Sequence, residues 1–222
     1  MGPVTMLRMG DRRVRPGKIL CVARNYAAHA KESGGEVPPE PVFFLKPTTA
    51  LIESGGTILL PPESARVEEE CELAVVIAKA GHNVPKEHAM ALVLGYAVFL
   101  DITARDLQAR AREAGLPWTA AKGFDTFGPI SPIMPAREVG DPHDLAIRLE
   151  VNGEPAQVGT TRDMVHKVPD LIAHASSIMT LERGDVLATG TPAGVREIRD
   201  GDVLSGKIER VGRVEARVAR KV

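Results

Sequence analysis

A chain of 222 residues with 44% hydrophobic content can bury a sizeable core, as one large domain or two small ones. A formal charge of -1, scattered arginines and only 4% aromatic residues leave no basic field and no base-stacking platform, which argues against nucleic acid as a partner. No apolar run approaches the roughly 20 residues of a spanning helix and residues 1–15 lack the apolar core of an export signal, so no membrane partner and a cytoplasmic location are expected.

Residues 1–17 are polar, arginine-rich and interrupted by Pro3, Pro16 and Gly17, which predicts a short N-terminal segment with one edge strand at most. Residues 18–222 then read as a single domain, because no repeat and no long linker divides them. Cys21 and Cys71 have no partner at metal-ligand spacing and read as free, small hydrophobes.

Residues 19–22 form a short apolar strand that runs into an alanine-rich helical turn over 24–32. His29 and Glu32 are three residues apart, so a helix sets them on one face, where a carboxylate can orient an imidazole as a general base; a plain surface pair is the other reading. Residues 33–41, rich in Gly, Pro and Glu, predict a loop able to cover a site. A strand over 42–45 follows and delivers Lys46, either a solvated terminus or a cation for an anionic substrate. Residues 57–60 are a short strand between Gly55-Gly56 and Pro61-Pro62.

Next comes a run of carboxylates, Glu68-Glu69-Glu70-Cys71-Glu72, entering the β-branched segment Leu73-Ala74-Val75-Val76-Ile77. Strand alternation puts Glu68, Glu70 and Glu72 on one face and Leu73, Val75 and Ile77 on the other. Such a row is either a solvated strand end or an oxygen-only site for Mg²⁺, Mn²⁺ or Ca²⁺, since buried like charges need a cation among them. Asp101, at the end of the apolar run 95–100, is a candidate third ligand. Residues 86–92 read as helical.

Thr103 is placed to cap a helix over 104–114 that Gly115 and Pro117 stop, with Arg105 and Gln108 on one face. Trp118 reads as a packing anchor, and Lys122 lies in an irregular stretch where a lysine is ordinarily exposed. Residues 145–157 carry Asn152-Gly153, the signal of a two-residue hairpin, and a core helix spans 169–178. Residues 184–195 are a strand ending in a glycine-rich turn whose N–H groups and hydroxyls can approach an anion, though without the lysine of a phosphate loop. Two strands around Gly212 close the chain over 203–218.

Taken in order, Arg24-Asn25-Tyr26 with His29 and Glu32, Phe44-Leu45-Lys46-Pro47, Glu70-Cys71-Glu72-Leu73, Asp101 to Gln108, Lys122 to Thr126, Val151 to Glu154 with Gln157 and Gly159, and Thr189 to Val195 resemble the fumarylacetoacetate hydrolase family, in particular its short single-domain members. The resemblance covers nearly the whole chain. It implies an α+β fold, a mixed β-sheet roll with peripheral helices, in a homodimer with one Mg²⁺ or Mn²⁺ per subunit. By the same resemblance Glu70, Glu72 and Asp101 match the metal ligands, and His29, Glu32 and Lys122 match catalytic positions. Arg24, Lys46, Arg105, Gln108, Gly190 and Thr191 match positions in or near the substrate site. Glu68 and Glu69 depart from the residues usual there, adding charge and an alternative oxygen.

The activity so implied is Mg/Mn-dependent cleavage of a C–C bond in a small anionic 2-oxo acid, by acylpyruvate hydrolysis or oxaloacetate decarboxylation, through a metal-stabilised pyruvate enolate. Phe124-Asp125-Thr126 resembles members that isomerise or decarboxylate 2-hydroxyhepta-2,4-diene-1,7-dioate in aromatic catabolism, an alternative within the family. A catalytically silent metal-binding protein is the alternative from another class, and it predicts loss of His29, Glu32 or Lys122, all of which are present.

Overall fold

The architecture is that of a computed structural model describing residues 5–221. Its frame is a mixed sheet ordered Val42–Lys46, Ile19–Ala23, Val186–Ala188, Cys71–Ile77, Val93–Leu100, Gly128–Ile130, Leu51–Glu53, with Met134–Pro135 added beside Val93–Leu100. Cys71–Ile77 and Val93–Leu100 run antiparallel at its centre, Cys71 opposite Leu100 and Val75 opposite Tyr96. A second sheet of five strands, Glu154–Thr160, Ala146–Val151, Val203–Ile208, Gly212–Arg220 and Thr57–Leu60, curls over one face of the first.

Both faces of the central strand are buried, and they divide by parity as a strand must. Leu73, Val75 and Ile77 join Ile147, Leu149, Leu204 and Val214 in the core between the sheets. Ala74 and Val76 join Ile19, Phe99 and Val186 on the opposite face, covered by Leu7 and Val14. Residues of the second parity continue into Glu72 and Glu70, so the carboxylates leave the sheet on the side away from the five-stranded layer. Helices are peripheral, and no helix among the described residues is long and apolar enough to cross a membrane.

Two local expectations change, and one strand is new. Residues 7–14 form a complete hairpin, Leu7–Met9 against Arg12–Val14, because Gly10 takes φ 57 and closes a two-residue turn with Asp11. The helix Arg105–Glu113 begins without a side-chain cap, since Thr103 pairs with Glu68 in a short antiparallel bridge and gives its hydroxyl to the Asp101 carbonyl. Gly128–Ile130, for which the sequence pattern predicts no element, is a strand parallel to Leu51–Glu53. The Asn152-Gly153 turn forms as expected, with φ 54 and 82 at its centre.

Candidate active site

The site opens where two strands of the central sheet part. Val186–Ala188 pairs with Cys71–Ile77 only from Ala74 to Val76. Beyond that point side chains and turn amides replace the ladder. Thr189 gives its N–H and its hydroxyl to Leu73 O, and the Thr191 hydroxyl donates to Cys71 O at 2.8 Å. Gln157, buried and contributed by the five-stranded sheet, accepts from Cys71 N at 2.8 Å and donates to Thr191 Oγ1 and Pro192 O. The positive φ of Gly190 (89°) and Gly194 (104°) lets the turn bend away, and Gly190 N–H reaches Glu72 Oε2 at 2.8 Å.

Glu70, Glu72 and Asp101 meet in this opening, all buried, each with a ligand oxygen within 4.8 Å of the others. Cations crowd them. Lys122 Nζ stands 2.8 Å from Glu70 Oε2 and 2.8 Å from Asp101 Oδ2. Arg105 donates to Glu70 at 2.6 Å, to Glu68 at 2.5 Å and to Gln108 at 2.6 Å. Lys46 Nζ holds the other Asp101 oxygen at 2.7 Å and the Ile102 carbonyl at 3.0 Å.

The charges follow from these contacts. Burial pushes the Glu70 carboxyl up, but Lys122 and Arg105 together outweigh it and hold Glu70 well below the usual carboxylate range. Burial likewise pushes Lys122 down, and Asp101 and Glu70 reverse it, so Lys122 stays an ammonium. Glu72 has no cationic hydrogen-bond partner among the described residues. Burial, then Asp101 and Glu70, raise it well above its ordinary value. A divalent cation is the group that lets all three carboxylates ionise together, and an all-oxygen donor set suits Mg²⁺ or Mn²⁺, so these residues fit the ion. Glu68 lies outside this converging triad, its two oxygens held by Arg66 and Arg105. Glu69 faces the other way, its carboxyl on Arg196 N and pushed by burial up to about 8.

His29 and Glu32 come from the short helix Ala27–Glu32. Glu32 Oε2 lies 3.2 Å from His29 Nδ1, and Gly194 N–H anchors the Glu32 carboxylate from the facing turn. A carboxylate only accepts, so Nδ1 carries a proton, and Nε2 lies on the far side of the ring, 3.9 Å from Glu70 Oε1. These groups share a cavity of about 260 Å³ with Arg24, Gln108, Thr191 and Trp118.

Two side chains depart from their expected settings. Lys46 is not on the cavity wall: it lies in the interior behind Asp101, with no exposed side-chain surface. Lys122 is buried rather than solvated, because Thr119–Lys122 is a helical turn that tucks its Nζ 4.9 Å from the centre of the Phe44 ring. Trp118 packs on Phe44 at 5.5 Å, as a packing anchor should, and also forms cavity wall. Sequence reasoning passed over Phe44, Arg66 and Arg112 as cavity residues. For Arg112 the signal was present, since it continues the helical face of Arg105 and Gln108.

Comparison with known proteins gives a family and several relatives. Residues 18–219 match the family described as Fumarylacetoacetate (FAA) hydrolase C-terminal. A mitochondrial oxaloacetate tautomerase of Arabidopsis thaliana is 52% identical over 205 residues, covering 92% of each chain. The crystal structure of fumarylpyruvate hydrolase from Pseudomonas aeruginosa, in complex with Mn²⁺ and pyruvate, superposes with a TM-score of 0.93 at 37% identity, covering 100% of this chain and 99% of that one. A 2-hydroxyhepta-2,4-diene-1,7-dioate isomerase from Mycobacterium marinum gives a TM-score of 0.83 at 39% identity, over 94% of this chain and 76% of that one.

Proposed function

The chain belongs to the fumarylacetoacetate hydrolase family, and on that premise we propose that it is a divalent-cation-dependent enzyme of small 2-oxo acids that interconverts the keto and enol forms of oxaloacetate. The observation that carries this reading is the arrangement of His29: Nδ1 held on Glu32, and Nε2 3.9 Å from Glu70 Oε1, the carboxylate that also meets the ammonium of Lys122. The relative named as an oxaloacetate tautomerase supports the choice of substrate.

Glu70, Glu72 and Asp101 would hold the cation. When bound, it supplies positive charge that polarises a 2-oxo group and favours the enolate over the ketone. His29 takes a proton from C3 at Nε2, and Glu32 offsets the imidazolium charge that results. Returning that proton to the C2 oxygen completes the keto-to-enol conversion, so no atom is gained or lost. Lys122 has three N–H groups and spends two on Glu70 and Asp101, which leaves one to donate to developing negative charge. Arg105 keeps Glu70 ionised and oriented.

A second reading, acylpyruvate hydrolysis, draws support from the fumarylpyruvate hydrolase likeness. It uses the same base on a water, which adds to C4 and breaks C3–C4 to release a carboxylic acid and the pyruvate enol. The test is a set of Mn²⁺-dependent assays on oxaloacetate, acetylpyruvate and a 2-hydroxydienedioate, following enol loss, pyruvate release and isomerisation separately. Oxaloacetate enol loss above the chelated blank, without matching pyruvate release, is expected. A higher kcat/KM for acetylpyruvate cleavage moves the assignment to the second reading, and isomerisation alone sinks both.

A further inference from the structure

Five positive side chains line the cavity, Arg24, Arg66, Arg105, Arg112 and Lys122. Three are engaged with the protein's own carboxylates: Lys122 with Glu70 and Asp101, Arg105 with Glu68 and Glu70, Arg66 with Glu68. Arg24 and Arg112 have neither a carboxylate partner nor a side-chain hydrogen bond among the described residues. The charge left over for a ligand is therefore theirs.

Arg24 carries marks of a built site. Its backbone is held at φ 55, a conformation that costs a non-glycine residue free energy and persists where the surroundings enforce it. Gly35, in the loop after the His29 helix, makes room for its side chain: a Cβ there would lie 2.7 Å from Arg24 Cζ and 2.8 Å from Nη1. Arg24 is half-buried and lines the same cavity as His29. Arg112 stands on the same face of Arg105–Glu113 as Arg105 and Gln108. Seven residues beyond Arg105, it is about 10 Å further along the axis, at the exposed rim. The end of the cavity at Glu70 and Glu72 thus handles the 2-oxo acid, and two free guanidinium forks, the geometry that matches a carboxylate, remain on its wall and at its rim.

We infer that Arg24 and Arg112 form a subsite for the distal carboxylate of a dicarboxylic 2-oxo acid, with Arg24 the fixed contact and Arg112 a rim charge that draws the dianion in. This rests on the function proposed above and adds the residues that choose among its substrates. Neither arginine is engaged by the carboxylate cluster, so the discrimination they impose is separable from the chemistry.

The test compares oxaloacetate with acetylpyruvate, which share the 2-oxo acid end and differ in the distal carboxylate. Enol loss counts turnover of either, whichever reaction consumes it. In the Mn²⁺-loaded enzyme, Arg24→Gln should lower the ratio of kcat/KM for oxaloacetate to that for acetylpyruvate about tenfold or more, the scale of a charge-assisted hydrogen bond. Arg24→Lys, which keeps the charge and loses the fork, should fall between. Arg112→Gln should lower the ratio less, by a factor that shrinks with added salt. An unchanged ratio in Arg24→Gln and Arg112→Gln overturns the subsite while leaving the proposed function standing, and so does an equal loss on both substrates. A wild-type enzyme that consumes neither substrate overturns the proposed function and the subsite together.

Discussion

Lys46 and Asp101 form an ion pair in the protein interior, Nζ to Oδ1 at 2.7 Å, with no exposed surface on either side chain. The pair fixes the orientation of Asp101 from behind and leaves Oδ2 facing the cluster, where Lys122 meets it. Removing Lys46 leaves Asp101 with Lys122 as its remaining cation and strands part of its charge, at a cost of up to about 3–5 kcal/mol. Lys46→Met should therefore lower unfolding free energy by that order in the metal-free protein. Saturating Mn²⁺ should restore more stability to the variant than to the wild type, because a cation among the ligands offsets the stranded charge. Urea unfolding with and without Mn²⁺ reads both effects, and equal Mn²⁺ stabilisation of the two proteins would count against the assignment of Asp101 as a ligand.

Gln157 does for the parted strands what a neighbouring strand would otherwise do. Its amide satisfies Cys71 N–H, between the two glutamates, and Pro192 O, in the turn that carries Gly190. Gln157→Met fills similar volume and leaves both backbone groups without a partner, at about 1–3 kcal/mol each. We expect a lower thermal midpoint and, by calorimetry, weaker Mn²⁺ binding, since the strand that presents Glu70 and Glu72 loses its outer support. Unaltered Mn²⁺ affinity would show that the strand holds its ligands without this clamp.

His29 and the carboxylate cluster have separable tasks in the proposed mechanism. His29→Ala should keep Mn²⁺ binding and lose a factor on the order of 10² or more in kcat, the scale of a general base. Glu32→Gln still bonds the imidazole but no longer offsets its charge, so a smaller loss is expected. Glu72→Ala should reverse the pattern and lose Mn²⁺ binding first. A His29→Ala enzyme with full kcat would remove the base from the mechanism.

The parts of this molecule that were legible in its sequence are those set by short-range periodicity. Alternation along residues 67–77 fixed which glutamates share a face, the apolar run before Asp101 fixed a strand end, and spacing on the Arg105–Glu113 helix aligned Arg105 with Gln108. The illegible parts depend on partners far away in the chain. Whether a lysine after an apolar strand reaches solvent or turns inward depends on a carboxylate 55 residues on, and Lys46 turns inward to meet Asp101. Lys122 is buried by Phe44, which no local pattern relates to it. The role of Gln157 needs the packing of two sheets, and the N-terminal hairpin hinged on reading Gly10-Asp11 as a turn.

His143 offers a test of fold stability away from the site. Its Nδ1 bonds Asp141, and its Nε2 accepts the Val168 N–H at the start of the helix Val168–Ile178, a bond that requires the neutral ring. Burial lowers the pKa of His143; Asp141 and Asp170 act against it and Lys167 with it. The folded value therefore lies below the unfolded one. Its contribution to stability is full above the unfolded histidine value of about 6.5 and is lost as pH falls through the folded value. His143→Ala should cost about 0.5–2 kcal/mol near neutral pH, the range for loss of a helix cap, and the gap from wild type should narrow below pH about 6. Asp141, itself held low chiefly by the His143 N–H, stays ionised across that window and does not mask the effect. Urea midpoints for both proteins between about pH 5 and 8 provide the measurement, and a gap that widens on acidification would mean that the charged ring, rather than the neutral one, is the stabilising form.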